Sequence, residues 1–490
     1  MCPGSLMKAG YLLGIDAGQT VIKAALFDLA GREVAVARAT TPVSSPHPRW
    51  QERGMDAAWE AAAGAVRGAL DLAGADPGMV LAVGLCGHND GVHLVDEAGR
   101  PVRPAILATD SRAVTEAAEL RALAGDRALS LTGQVALPWN PASILRWLRD
   151  HEPDALAAAH ALLYCKDWLR LRLVGAIATD PTDASAFATD VWTQEWSTSV
   201  LDLYGLTEFA RLLPTMRGAD EVVGGVSAAA AELTGLRTGT PVVTGAHDVD
   251  AAALGIGAIG TGALSLVLGT FSINQLVGNA PVADSRWQAR TFFPDGGAPR
   301  WLHMSTSPSG ASNLEWAVRE FGASSYEEAI SSAGASSLDD PIYLPFLYGS
   351  PIASSGASFT GLCGWHTVGD LYRAVAEGVV FNHRWHVEAL GSRFPLAGAA
   401  RLCGGGARSA IWSQLLCDAL GLPIEITDAT EAGARGAAML AGVGVGAYPE
   451  FPDAVRACVR VIRRHEPDAS REAVLSERYA RYLSVAEKLA

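Results

Sequence analysis

Three short glycine turns, each directly after an apolar run, constrain the fold of this chain more than any other feature. The runs cover residues 11–16, 263–268 and 402–403, and the turns after them cover residues 16–20, 269–270 and 404–406. Backbone N–H groups of such turns can hold an anion such as a phosphate. Taken singly, each turn is equally typical of a tight hairpin or a strand-to-helix connection. Together they predict an α/β protein that holds a nucleotide mainly through backbone amides.

The same order of strand, glycine turn and helix occurs in both halves of the chain, without a detectable repeat in the sequence itself. A length of 490 residues exceeds the ~100–200 residues of a usual domain, so more than one domain is expected. We predict two α/β domains of similar size, residues 1–257 and 258–490, with the ligand bound between them.

Charge narrows the classes of ligand. The chain has 38 basic and 52 acidic residues, a net charge of −14, which disfavours a nucleic-acid binder with a general basic surface. Lysine occurs only at Lys8, Lys23, Lys166 and Lys488, and no GxxxxGK[ST] phosphate loop is present. A bound phosphate must therefore be balanced by amides and a metal ion rather than by a loop lysine.

Cysteine spacing and hydropathy indicate the compartment. The seven cysteines are scattered singly, which predicts reduced thiols rather than a disulfide framework or a zinc site. No basic segment followed by an apolar run precedes Asp16, so we expect a cytoplasmic protein without a signal peptide. Residues 251–283 carry no charge, but their glycines and hydroxyl residues predict a buried helix, a turn and strands rather than a membrane span.

Two polar loops are the first candidates for a site. The apolar run 80–85 ends at a loop that contains His88, Asn89 and Asp90, and such loops after buried strands bind ligands in open α/β sheets. These side chains offer donors and acceptors suited to several hydroxyl groups. The carboxylate of Asp16, beside Gly18, could hold a hydrated metal ion that neutralises a phosphate.

These motifs together resemble the FGGY carbohydrate kinases. The resemblance covers residues 10–455 and rests on residues 16–20, 269–270, 358–362, 370–378 and 402–409, which occur in the family's order. It implies two actin-like ATPase domains of the ribonuclease H-like fold around a central cleft. It also implies a sugar in that cleft, ATP mainly on the C-terminal domain, and Mg²⁺ as the accompanying metal.

The resemblance assigns the catalytic base to Asp248, which lies three residues after Gly245 as in the family. Transfer of a phosphoryl group to a sugar hydroxyl needs such a base within hydrogen-bond reach. A helix N-cap is an alternative role for Asp248 that is compatible with the first. Asp250 is the nearest competitor, and His247 is interpreted as a buried imidazole rather than a second base.

The remaining site residues follow from the same resemblance. The candidate sugar-binding residues are Trp50, His88, Asn89, Asp90, Asp110, Arg112 and Asp248. The candidate ATP-binding residues are Gly18, Gln19, Thr20, Gly269, Thr270, Gly310, Gly404, Gly405, Gly406 and Ser409, with Asp16 for the metal. Alternative roles remain open for two of these groups: simple packing for Trp50, and a local ion pair for Asp110 with Arg112.

Motifs beyond the shared core indicate the substrate. Residues 50–55, 142–153 and 307–316 resemble the L-xylulose kinase branch, whereas residues 165–169, 178–181 and 90–91 resemble erythritol kinases. We therefore predict an ATP-dependent kinase for a terminal hydroxyl of a small ketose, with L-xylulose favoured and erythritol or another polyol as the alternative. A different class, an actin-like nucleotide-binding regulator without sugar kinase activity, is the further alternative.

We predict no nucleic-acid or membrane partner. Residues 470–489 form a predicted amphipathic helix that either packs on its own domain or supports a homodimer.

Overall fold

A computed structural model describes residues 10–334, 336–349 and 356–489. The described chain forms two compact units, each with a mixed β-sheet and packed helices. The first unit is formed by the described residues within Met1–Ile259, Asn279–Trp301 and Ala429–Val459. The second is formed by those within Gly260–Gly278, Leu302–Asp428 and Arg460–Ala490.

The sheet of the first unit is built around two neighbouring parallel strands, Tyr11–Ala17 and Val80–Gly87. Both are apolar on both faces, as expected for strands that are covered on both sides. The strand order is Glu33–Thr40, Val21–Asp28, Tyr11–Ala17, Val80–Gly87, Pro241–Val243 and Val222–Gly225, with Ala246–His247 also paired to Val80–Gly87. Shorter strand pairs are Glu52–Arg53 with Ala105–Ile106 and His93–Val95 with Ala161–Leu163. The segment 279–301 of this unit contains the strand Gln288–Asp295, which is not part of this sheet.

Glycines allow the helix Ala432–Gly444 to pack directly onto these central strands. A Cβ atom at Gly14 would lie 1.8 Å from the carbonyl oxygen of Ala434, and one at Gly84 would lie 1.8 Å from that of Ala437. Backbone therefore meets backbone at this contact, so a residue with any side chain does not fit at either position. The helix belongs to the end of the chain, but it covers strands formed by the first hundred residues.

The first unit contains further helices, of which Met55–Ala73 packs against the strands Val21–Asp28 and Glu33–Thr40. They are Met55–Ala73, Pro77–Met79, Val114–Thr132, Pro141–His151, Pro153–Ala158, Cys165–Val174, Pro181–Ala184, Thr198–Tyr204, Thr207–Leu212, Ala228–Thr234, Asp248–Gly255 and Phe451–Cys458, of which Pro77–Met79 and Thr207–Leu212 are 3₁₀-helices.

The second unit repeats the central arrangement of the first. The strand Leu264–Leu268 pairs antiparallel with Ser272–Gly278 and parallel with Ala400–Cys403. The strand order is Ala298–Ser307 (from residue 302 on), Ser272–Gly278, Leu264–Leu268, Ala400–Cys403, Ile424–Thr427 and Val461–His465, and Ile342–Leu344 pairs separately with Ser358–Thr360. Its helices are Ser312–Phe321, Tyr326–Ser332, Val368–Gly391, the 3₁₀-helix Gly405–Arg408, Ala410–Leu420 and Ala469–Leu489.

The prediction for one segment is confirmed, and for a second segment the structure shows one of the two alternatives. The uncharged stretch 251–283 forms the end of a helix and two strands, and within residues 10–334, 336–349 and 356–489 we find no helix with the length and apolarity to cross a bilayer. The last helix, Ala469–Leu489, packs on its own unit: Leu475, Tyr479 and Tyr482 are buried, and Arg478 donates to Glu377 across 2.7 Å.

Candidate functional site

Asp248 begins the helix Asp248–Gly255, directly after the short strand Ala246–His247 that pairs with the end of Val80–Gly87. The chain reaches this place through Gly245, which has φ +86° and whose Cβ would lie 2.3 Å from the carbonyl oxygen of Leu85. Only glycine accommodates both the left-handed conformation and the close approach. The turn thus presents the Asp248 carboxylate, 31% exposed, at the carboxyl edge of the sheet.

The surroundings of Asp248 suit a general base. Removal from water raises the pKa of its carboxyl group to about 7, and the negative charges of Asp16 and Asp183 act in the same direction, whereas His247 opposes them. A base is most effective when its pKa lies near the working pH, because it is then both ionised and able to accept a proton.

His247 and Asp250 are buried behind this carboxylate. The two ring nitrogens of His247 lie 3.2 Å from Oδ1 of Asp248 and 3.0 Å from Oδ2 of Asp250, and burial lowers the pKa of the imidazole. Asp250 has no exposed surface, and burial raises the pKa of its carboxyl group well above the usual range. A side chain without exposed surface cannot contact a ligand, so Asp248 is the better candidate of the two.

Asp16 is the last residue but one of the strand Tyr11–Ala17, opposite Cys86 of the parallel neighbour. Burial raises the pKa of its carboxyl group, while Lys23, whose Nζ lies 3.9 Å from Oδ2, lowers it. Lys23 also pairs with Glu431 across 2.8 Å. The charge of Asp16 raises the pKa of Asp248, so the two carboxylates repel each other. Carboxylate oxygens beside open turn backbone are the ligands that a partly hydrated Mg²⁺ prefers, and Asp16 therefore fits the predicted metal-binding role.

The polar loop after Val80–Gly87 is held by contacts to the protein. Nδ2 of Asn89 donates to the Asp183 carboxylate across 2.7 Å and to the Asp183 carbonyl across 3.1 Å. Oδ1 of Asn89 accepts from Arg290 across 3.2 Å and from the backbone N–H of Asp90. Asp90 itself has φ +62° and accepts from Asn140 across 2.7 Å. The side-chain amide of Asn89 thus has hydrogen-bond partners within the protein for both its nitrogen and its oxygen.

Arg53 connects this loop to the turn after the first strand. Its Nη1 donates to the carbonyls of Gly18 and Gln19 across 3.2 and 3.1 Å, and its Nη2 lies 2.9 Å from Nε2 of His88. His88, His93 and Cys165 form a buried cluster with metal-ligand atoms within 4.8 Å of one another. Because the Arg53 guanidinium also donates to the Cys165 sulfur, it supplies the positive charge there, and we assign no metal ion to this cluster.

Asp110 and Arg112 form the local ion pair that was the alternative to a ligand-binding role. Nη2 of Arg112 lies 2.8 Å from Asp110 and 2.8 Å from Glu52, and the side chains of the pair have no exposed surface. The guanidinium carbon of Arg112 lies 4.0 Å from the centre of the Trp50 ring. Packing is therefore one role of Trp50, and contact of these three residues with a sugar stays a prediction.

The second unit places its glycine turns together. Gly269 and Gly404 follow the neighbouring parallel strands Leu264–Leu268 and Ala400–Cys403. A Cβ at Gly310 would lie 2.4 Å from the carbonyl oxygens of both Gly269 and Thr270. Gly404 has φ +92°, and its Cβ would lie 2.8 Å from the carbonyl of Leu268.

Ser409 ends the last of these turns and caps the helix Ala410–Leu420, since its hydroxyl accepts from the N–H of Trp412. Thr270, Gly404 and Gly405 are exposed, whereas Gly406 is buried. Open backbone at the ends of two parallel strands, followed by a helix N-terminus, is an arrangement that binds phosphate.

Several residues of these sites are not among those predicted from the sequence. Lys23 had one local signal, a lysine within an otherwise apolar strand. Arg53, Arg290 and Glu431 had none, because each meets its partners across a long stretch of chain.

The chain is similar to known proteins over nearly its whole length. The models of the FGGY family of carbohydrate kinases match residues 11–255 with the N-terminal domain and residues 260–445 with the C-terminal domain. The L-xylulose/3-keto-L-gulonate kinase of Escherichia coli K12 is 32% identical over 477 residues, which is 96% of either chain. The probable L-xylulose kinase of Pasteurella multocida is 32% identical over 480 residues, 96% of this chain and 97% of its own.

A solved structure agrees with these relatives. The xylulose kinase from Rhodospirillum rubrum matches with a TM-score of 0.87 and 28% sequence identity, over 98% of this chain and 99% of its own.

Proposed function

Because the chain belongs to the FGGY family of carbohydrate kinases, we propose that it uses ATP with Mg²⁺ to phosphorylate a terminal hydroxyl of a small ketose, with L-xylulose as the favoured substrate. The family, the enzyme class and the actin-like α/β fold predicted from the motifs are confirmed. The alternative of a nucleotide-binding regulator without sugar kinase activity is not supported by any of these relatives.

The Asp248 carboxylate is the observation that supports this chemistry. It is partly exposed, has a pKa of about 7, and lies at the carboxyl edge of the first unit's sheet. In the proposed reaction Asp248 accepts the proton of the sugar hydroxyl as that oxygen attacks the γ-phosphorus of ATP. Near neutral pH the ionised carboxylate of Asp248 can accept this proton, and the hydroxyl oxygen thereby becomes a better nucleophile. The reaction then ends with release of ADP and the sugar phosphate.

Phosphate groups are proposed to bind to backbone amides. In the second unit these belong to the turns at residues 269–270, 310 and 404–406, which hold the nucleotide. In the first unit Gly18, Gln19 and Thr20 present further N–H groups, and Arg53 fixes that turn through the carbonyls of Gly18 and Gln19. Asp16 would hold Mg²⁺, which would supply positive charge next to the phosphate groups.

The choice of L-xylulose rests on relatives named as L-xylulose kinases that are 32% identical over nearly the whole chain. The test is an ADP-release screen of the purified protein with ATP and Mg²⁺. The acceptors are L-xylulose, D-xylulose, D- and L-ribulose, erythritol, glycerol and gluconate. We expect the highest kcat/KM for L-xylulose; a polyol that exceeds every ketose would overturn the ketose assignment. ATP binding without phosphorylation of any acceptor would overturn the substrate class.

Substitution of the base tests the chemistry. Asp248→Asn keeps the size of the side chain but cannot accept the proton, so kcat should fall by about 10²–10⁴-fold while the sugar still binds. Asp250→Asn is the matched control, because it makes the same change two residues further on at a side chain without exposed surface, and it should retain much more activity. Both variants are measured by ADP release and by sugar titration calorimetry. Near-normal turnover of Asp248→Asn would contradict the assignment.

A further inference from the structure

Lys166, one of the four lysines, has no role in the chemistry described so far and yet lies at the centre of a buried charge cluster. Its Nζ atom lies 2.6 Å from Asp167, 2.8 Å from Asp180 and 2.9 Å from Asp183. None of these four side chains has exposed surface. The contact with Asp167 is a hydrogen bond as well as an ion pair, and those with Asp180 and Asp183 are ion pairs.

The backbone and stem of Lys166 lie against both turns of the candidate acceptor site. A Cβ at Gly87, which precedes His88, would lie 3.1 Å from the backbone nitrogen of Lys166 and 3.3 Å from its Cβ. A Cβ at Gly245, which precedes the turn of Asp248, would lie 3.2 Å from its Cδ. The side chain therefore fills the space beneath the two turns.

One chain of contacts, an ion pair followed by hydrogen bonds, runs from the ammonium to the polar loop. Asp183, held by Lys166, accepts both hydrogens of the Asn89 amide, at its carboxylate and its carbonyl. The Asn89 oxygen in turn accepts from Arg290 and from the backbone of Asp90. Asp90 has the left-handed conformation, which a non-glycine residue keeps only when its surroundings enforce it.

A second chain runs to the catalytic turn. Asp180, also held by Lys166, accepts the hydroxyl hydrogen of Thr182 across 2.6 Å. The same hydroxyl oxygen accepts from the backbone N–H of His247 across 2.9 Å. His247 directly precedes the proposed base Asp248, so this bond fixes the backbone from which the carboxylate projects.

Charge balance explains why the cluster needs the lysine. Arg170 is the second buried cation and pairs with Asp167 across 2.8 Å. Three carboxylates thus face two cations, and burial raises the pKa of Asp183 to about 7. Without Lys166 the buried carboxylates would lose their main counter-charge, and their arrangement would change.

We propose that Lys166 is a positioning residue of the acceptor site, which orients Asp90 through Asp183 and Asn89, and Asp248 through Asp180, Thr182 and His247. The inference rests on the proposed function of Asp248 and of the polar loop. It predicts that a substitution in the chain to Asp90 and one in the chain to Asp248 have different effects on the sugar KM and on kcat.

Two nearly isosteric variants each interrupt one of these chains of contacts. Asp183→Asn removes the anion that fixes Asn89, so the sugar KM should rise about tenfold with the ATP KM unchanged. Thr182→Val leaves the N–H of His247 without its partner, so kcat should fall about tenfold with little change in sugar KM, since small misplacements of a reacting group cost up to about 10²-fold. Thr234→Val is the matched control, because Thr234 is equally buried and its hydroxyl accepts from the N–H of Leu236 outside this network.

The kinetics of all variants are measured beside the wild type by ADP release with the best acceptor of the screen, and folding is checked by thermal unfolding. Folded variants whose kcat and sugar KM stay within twofold of the control would overturn the positioning role and leave the proposed function intact. A wild-type protein that phosphorylates no acceptor would overturn the proposed function, and this inference with it.

Discussion

The chemistry of Asp248 is set by its neighbours rather than by its own side chain. Burial and the charges of Asp16 and Asp183 raise the pKa of the carboxyl group to about 7, and His247 limits the rise. The carboxyl group of an aspartate on an open loop would have a pKa about three units lower, so it would be a weaker base. The residue type is therefore necessary for the proposed role, but the surrounding charges make it effective.

A pH dependence follows from this raised pKa. Asp248 accepts a proton only when ionised, so kcat/KM for the sugar should rise with pH and level off above a midpoint of about 7. His247→Gln removes a group that lowers this pKa and should move the midpoint to higher pH. Asp183→Asn removes a charge that raises it and should move the midpoint to lower pH. The measurement is kcat/KM from pH 5.5 to pH 9 by direct quantification of the sugar phosphate. A flat profile in this range would contradict the assignment.

At the scale of single elements, the helix Ala432–Gly444 shows how backbone contact positions the site. Gly433, near its start, would place a Cβ 2.9 Å from Oδ2 of Asp16. Further along, the helix meets Gly14 and Gly84 of the central strands. The same contacts that close the core therefore set the place of the helix N-terminus beside the proposed metal ligand.

Alanine at Gly84 should accordingly destabilise the protein. Its Cβ would lie 1.8 Å from a backbone oxygen of the helix, so backbone must shift, at a cost of about 1–3 kcal/mol or more. Gly64→Ala is the matched control: Gly64 lies within the helix Met55–Ala73 with nothing near its Cβ position. That variant should gain about 0.5–1 kcal/mol. Chemical denaturation measures both, and equal stability of the two variants would contradict this packing.

At the scale of the whole molecule, the first unit is not one continuous stretch of chain. Residues 279–301 and 429–459 belong to it together with the described part of residues 1–259. The family models nevertheless match two consecutive stretches, residues 11–255 and 260–445.

A fragment of residues 1–259 should therefore not fold stably by itself. It lacks the helix Ala432–Gly444, which covers Tyr11–Ala17 and Val80–Gly87, so apolar faces of the central strands would be open to water. We expect no cooperative thermal transition by circular dichroism, in contrast to the full chain measured beside it. A fragment that melts cooperatively near the full-length Tm would show that the returning segment is dispensable.

Local patterns were sufficient to predict the glycine turns, the strands before them, the carboxylate after Gly245 and the family. Each of these motifs depends on residues within a few positions of one another, so it leaves a periodic or spaced signal, and the family follows from the order of the motifs along the chain. The ion pair of Asp110 with Arg112 was also within reach, as one of two alternatives, because the residues are two positions apart.

The sequence by itself thus determined the fold class, the enzyme class and the candidate base. Only the tertiary structure showed that Lys166 lies beneath both turns, that Arg53 holds the Asp16 turn, and that Glu431 pairs with Lys23. These contacts join residues that are distant along the chain. Burial and compensation of charge bring them together, and neither depends on a local spacing that a sequence pattern could reveal.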